Sequence, residues 1–147
     1  MTLSVPGPVM DAVGRHLEAG YPNEACGALV GRPGDGVQPY QALEFHPLRN
    51  TVTDRPWDRY AVDPLEQLRV QREAEGRGLE IIGFVHSHPD HPPRPSQFDL
   101  EQALPSHIYS FYIYVVASVA QGKLAEARAW RLDEGAKVFR EEPLSLV

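Results

Sequence analysis

Residues 81–99 read Ile-Ile-Gly-Phe-Val-His-Ser-His-Pro-Asp-His-Pro-Pro-Arg-Pro-Ser-Gln-Phe-Asp. The apolar run Ile81–Val85 has the character of a buried strand, and His86 and His88 follow directly. On an extended strand residues i and i+2 point to the same side, so the two imidazoles converge on one point. Asp99 adds a carboxylate that can close a three-ligand site. Two histidines and one carboxylate suit zinc, and a fourth position left to water makes such a site catalytic rather than structural. The other reading, a proline-rich polar loop after a buried strand, leaves the paired spacing unexplained.

The elements around this strand are read outward. Pro6-Gly7-Pro8 opens a helix whose stripe is Val9, Val13 and Leu17, ended by Gly20 and Pro22. Ala25–Val30 is a buried strand, Pro33–Gly36 a turn, and Val37–His46 a returning strand. Residues 47–59 are a polar loop. Asp63 caps a second helix reaching about Gly76. Ser96–Leu104 is predicted as a short helix with Ser96 near its N-cap. Tyr109–Ser118 and Lys123–Leu132 are paired strands, and Val138 onward adds an edge strand. This order predicts an α/β fold, a mixed sheet flanked by helices, in a single domain over 1–147.

Glu24 stands at the entrance of an apolar strand. Burial raises a carboxyl pKa, which suits general acid–base work, although Asn23-Glu24 also reads as an ordinary polar loop. Ser96 is too far from any base to be a nucleophile. Its hydroxyl can donate to an oxyanion or cap the helix, or both. Ser87 faces away from the histidine pair and reads as structural. His91 fits no closed site with His88 and Asp99. His16, His46 and His107 read as surface or partly buried, and Cys26 as a small buried thiol.

Glu24 … His86-Ser87-His88 … Ser96 … Asp99 resembles the JAMM/MPN+ metalloprotease family. The family pattern is a distant Glu, His-x-His, seven residues, Ser, two residues, Asp, and it is kept here without departure in spacing. Asn23–Gly31, Asn50, Tyr60, Asp63-Pro64 and Gly83–Pro89 extend the likeness, chiefly to the small stand-alone prokaryotic members, across about residues 3 to 132. The resemblance implies a cytidine-deaminase-like (JAB1/MPN) fold and Zn2+ held by His86, His88 and Asp99. It gives Glu24 the acid–base role and Ser96 that of oxyanion donor. The implied activity is hydrolysis of a peptide or isopeptide bond after the C-terminal Gly-Gly of a ubiquitin-like or sulfur-carrier protein. The loop Leu48–Arg59 would flank the cleft and help seat the tail. Little chain separates Asp99 from the Tyr109 strand, so the second long insertion of the family's eukaryotic deubiquitinases has no room. The competing readings are a non-catalytic MPN-type scaffold, against which the full ligand set argues, and a zinc hydrolase acting on another amide. A nucleobase-type deaminase needs a distant Pro-Cys-x-x-Cys, and this chain has a single cysteine.

Composition narrows the partners. The 147-residue chain carries a formal charge of −6 and a pI of about 5.5. Its Lys and Arg are scattered rather than clustered, which argues against nucleic acid. No apolar run is long enough to span a bilayer. The N-terminus shows no basic-then-apolar segment, so no signal peptide is expected. One cysteine excludes an internal disulfide framework, and a reducing cytoplasm is the expected compartment. A monomer or a homodimer is expected.

Overall fold

The computed structural model describes residues 2–104 and 111–147. Its elements run β1 (Leu3–Val5), α1 (Gly7–Gly20), β2 (Cys26–Arg32), β3 (Tyr40–Leu48), α2 (Pro64–Glu75), β4 (Glu80–Pro89), α3 (Gln97–Ala103), β5 (Ile113–Ala120), β6 (Lys123–Asp133), β7 (Val138–Glu142) and β8 (Leu144–Leu146). One sheet of eight strands has the order β7-β6-β5-β4-β2-β3-β1-β8. β4 is central: antiparallel to β2 with Cys26 opposite His86, and parallel to β5 with His86 opposite Val116. The mixed sheet and flanking helices are those expected from the sequence. The Tyr109 start of the expected fifth strand lies partly outside the described residues, as does His107.

Two strands were not foreseen. Leu3–Val5 is too short to show a period, yet it pairs with β3 and β8. The tail forms two strands rather than one edge strand. Val138–Glu142 pairs with β6 and Leu144–Leu146 with β1, only Pro143 lying between them. The sheet therefore curls until its two ends meet on one continuous segment.

The curl encloses α1. Its Val9, Val13 and Leu17 pack with Leu3, Val5, Leu29, Ile82, Val85 and Val115 in one buried cluster. On the opposite face, α2 covers a second cluster of Cys26, Ala28, Val30, Ile81, Phe84 and Tyr114. Asp63 caps α2, its carboxylate accepting from Leu65 N at 2.9 Å. Gly83 shows how tightly β4 is held: a Cβ there would meet the Ile113 carbonyl oxygen at 2.0 Å. With both faces covered, β4 reads as a continuous apolar run and carries His86 and His88 into the interior.

Candidate metal centre

β4 ends at Pro89, and the next residue, Asp90, takes a positive φ of 57°. Asp90 fixes this end from three directions. Its N–H donates to Val119 O at 2.9 Å, while its carboxylate accepts from Gln121 N at 2.8 Å and from the Tyr21 hydroxyl at 2.6 Å. The chain then returns through Pro92–Pro95 to α3. Ser96 is the N-cap of α3, in a reciprocal capping box: Asp99 N donates to Ser96 Oγ at 3.1 Å, and Ser96 N to Asp99 Oδ2 at 2.8 Å. The box swings the Asp99 carboxylate back over the strand end.

Three ligand atoms result in one small triangle. His86 Nε2 and His88 Nε2 are 3.1 Å apart, and each is 3.2 Å from Asp99 Oδ2. Atoms bound 2.0–2.1 Å from a tetrahedral zinc stand about 3.3–3.4 Å apart, so the triangle has the size of one face of such a site. Tautomer chemistry points the same way. His88 Nδ1 lies 3.0 Å from Pro92 O, and a carbonyl only accepts, so Nδ1 carries the hydrogen and Nε2 presents its lone pair to Asp99. Such an outer hydrogen bond is how metal-ligating imidazoles are oriented. Two lone-pair-bearing atoms facing each other at this distance repel, and either a shared proton or a cation between them removes the conflict.

The environment strengthens the conclusion. His86 and His88 are 2% and 6% exposed, and Tyr60 stacks on the His86 ring with centroids 4.4 Å apart. Burial pushes the His86 pKa down, favouring the neutral imidazole a metal needs. Burial pushes the other way on Asp99, but His86, His88 and the Ser96 N–H outweigh it and hold the carboxyl well below the usual range.

Glu24 precedes β2 and is 5% exposed. With His86 and His88 it forms a cluster whose ligand atoms lie within 4.8 Å of one another. Its Oε1 is buried without a hydrogen-bond partner. Burial, then the neighbouring Asp99 and Asp58 charges, push its pKa up to about 9, a carboxyl ready to carry a proton. Its backbone is clamped: Glu24 N donates to Pro56 O at 2.7 Å, and Asn50 Nδ2 donates to Glu24 O at 3.0 Å. Asn50 also donates to Arg59 O and accepts from Val52 N and Ala61 N, so one amide folds the loop after β3 around Glu24. Next to it, Ala25 N donates to Ser87 Oγ and Ser87 N to Ala25 O, both at 2.9 Å. Ser87 is thus structural as expected, fixing the glutamate segment in register with the histidine pair.

The structure brings Glu24, His86, His88, Ser96 and Asp99 to one place. His91 is exposed. His16 bonds to Cys26 O and His46 to Glu44, away from this centre. Cys26 is free and 1% exposed, its thiol pushed up to about 12 by burial. The sequence did not reveal the Pro92 carbonyl that orients His88, nor the Trp130 indole that donates to Pro93 O at 3.1 Å and steadies the same loop. Only the dense prolines hinted that this loop is rigid.

Comparison with known proteins agrees with this geometry. A family model described as prokaryotic homologs of the JAB domain matches residues 6–133. The chain is 32% identical over 143 residues to a desampylase of Haloferax volcanii, an alignment spanning 95% of this chain and 92% of the relative. It is 29% identical over 145 residues to a CysO-cysteine peptidase of Mycobacterium tuberculosis, covering 99% and 91%. A solved structure from Desulfitobacterium hafniense superposes with a TM-score of 0.81 at 27% identity, covering 99% of this chain and 92% of that one. A match that takes in every element from α1 to β6, including the strand and helix that carry the ligand triangle, makes the chain a member of the JAB-domain family of prokaryotes.

Proposed function

We propose that residues 1–147 act as one JAB/MPN domain whose centre is a zinc ion held by His86, His88 and Asp99, with Glu24 as acid–base group and Ser96 as oxyanion donor. The observation that carries this reading is the 3.1–3.2 Å triangle of facing ligand atoms beside a buried glutamate whose Oε1 has no hydrogen-bond partner. The chain is a JAB-type peptidase, and its relatives bear the names desampylase and CysO-cysteine peptidase. Its substrates are conjugates of ubiquitin-like or sulfur-carrier proteins, cut after a C-terminal Gly-Gly. The single free cysteine fits a reducing cytoplasm as the setting of the reaction; among the described residues no helix is long and apolar enough to cross a membrane.

When bound, zinc supplies Lewis acidity toward a carbonyl and makes water nucleophilic near neutral pH. Glu24 accepts the proton released as water attacks and passes it to the departing amine. Ser96 Oγ accepts from Asp99 N, which leaves its own hydrogen to donate to the oxyanion of the attacked carbonyl. Asn50 and Ser87 keep Glu24 at its distance from the histidines. The narrow tail follows from backbone approach: without a Cβ, Gly-Gly lets the chain come close to the centre.

The direct test is hydrolysis by the zinc-loaded protein of a small-protein fusion ending in Gly-Gly, beside the same fusion ending in Gly-Val. Cleavage of the first and exclusion of the second is expected. Equal rates would replace the narrow-tail reading by a broader peptidase.

Ser96→Ala separates two roles of one hydroxyl. Loss of the cap costs about 1 kcal/mol of stability, read in thermal unfolding. Loss of the oxyanion donor lowers turnover by about 10²–10³ with zinc retained. A variant that melts lower yet turns over normally would leave only the cap.

A further inference from the structure

Next to the ligand triangle lies a cavity of about 550 Å³. It opens between α2, α3 and the sheet, and Tyr60, Phe84, Phe98, Tyr112, Tyr114 and Phe139 are among its walls. Phe84 meets Tyr112 edge-on with centroids 5.0 Å apart, and Tyr114 meets Phe139 likewise at 5.5 Å. Protein interiors hold few voids larger than a water molecule, whereas small-ligand sites run to about 300–1,000 Å³ and are chiefly apolar and aromatic. Among the described residues, and apart from the tyrosines, His86 and Asp99 are the ionisable groups that line it. Both belong to the triangle, so the cavity is a side chamber of the centre, and its uncharged lining away from that edge suits an uncharged group. Phe139 lies on β7, beyond residues 6–133 that the family model matches, so part of the wall is contributed by a segment outside the family match.

The lining also tells which part of a substrate enters. His86 and Asp99 border the chamber, but Glu24, His88 and Ser96 do not. The leaving amine must finish near Glu24, which protonates it. The acyl side is therefore the part free to extend across the His86–Asp99 edge. We propose that this aromatic chamber is a specificity pocket for a bulky apolar side chain, Phe or Leu, carried by the substrate tail just upstream of Gly-Gly. The proposal rests on the Gly-Gly peptidase reading above.

Burying a Phe or Leu side chain that Ala lacks corresponds to about 10- to 100-fold in affinity or kcat/KM. The test uses acetyl-X-Gly-Gly-Lys-amide peptides, with X as Phe, Leu, Ala or Asp, and the zinc-loaded full chain. Phe and Leu peptides are expected to be cut about 10- to 100-fold more efficiently than Ala, and Asp least well. Leu68→Trp should fill the chamber from its half-exposed rim, where Leu68 is 42% exposed, and Phe139→Ala should remove its far wall. In both the Phe-to-Ala ratio should collapse toward unity. Calorimetry with the zinc-loaded Glu24→Gln protein reads binding of the same peptides without turnover. Preferential binding of Phe by this variant, together with no cleavage of any peptide by the zinc-loaded parent protein, would overturn the peptidase reading and support the pocket. Equal binding of Phe and Ala, a Leu68→Trp variant that keeps the full ratio, or variants that lose thermal stability at unchanged selectivity would overturn the pocket.

Discussion

His88→Ala and Asp99→Ala will each abolish tight zinc binding and, with it, hydrolysis. Each substitution removes one vertex of a triangle whose sides are 3.1–3.2 Å, and neither Ser96 nor His91 is placed to replace it. Ser96 offers a hydroxyl already engaged in the helix cap, and His91 is exposed at the loop surface. In Asp99→Ala the triangle also loses its own carboxylate, leaving the two imidazoles and, within 4.8 Å of them, the Glu24 carboxyl that the mechanism needs as proton carrier. Elemental analysis after dialysis should give about one zinc per chain for the parent protein and far less for either variant. Asp99→Ala will also lose the carboxylate half of its capping box, so circular dichroism belongs beside the metal assay to show that the sheet persists. Full zinc retention in both variants would sink the ligand assignment.

Glu24→Gln is expected to behave in the opposite way, keeping zinc and losing turnover by about 10²–10⁴, the scale of one general acid–base group. The substitution preserves shape and its backbone clamps, since Pro56 and Asn50 hold main-chain atoms of Glu24 rather than its carboxyl. What disappears is the proton carrier. In the protein alone, burial together with the Asp99 and Asp58 charges pushes the Glu24 pKa up to about 9. A doubly positive ion alongside would favour the carboxylate and lower that value, so that the group can take a proton as well as return one. Glu24→Gln should also be the more stable protein at neutral pH without metal, because it no longer buries an acid whose charged form is disfavoured. An active Glu24→Gln enzyme would move the base elsewhere.

The chemistry of the centre was written locally. His86-Ser87-His88 needs only a strand to converge, and Ser96-x-x-Asp99 needs only a helix start to form a capping box. Both are short-range geometry, so sequence periodicity and spacing located four of the five candidate residues and the elements that bear them. The role of Glu24 was less legible, because 62 residues separate it from His86 by numbering alone. Its meaning depends on β2 pairing with β4 so that Cys26 stands opposite His86, a long-range fact that composition leaves open and the family pattern supplied. Tertiary structure alone decided the rest. Leu3–Val5 and Leu144–Leu146 are strands only because the sheet curls until they meet, for three residues carry too few backbone bonds to persist alone. The orientation of His88 by a proline carbonyl and the clasp of Asn50 on Glu24 join backbone atoms, which no side-chain pattern records. The aromatic chamber likewise gathers residues from α2, α3, β4, β5 and β7. Sequence by itself determined which atoms can bind a cation; packing determined how deep they lie, which tautomer they hold and what space stands beside them.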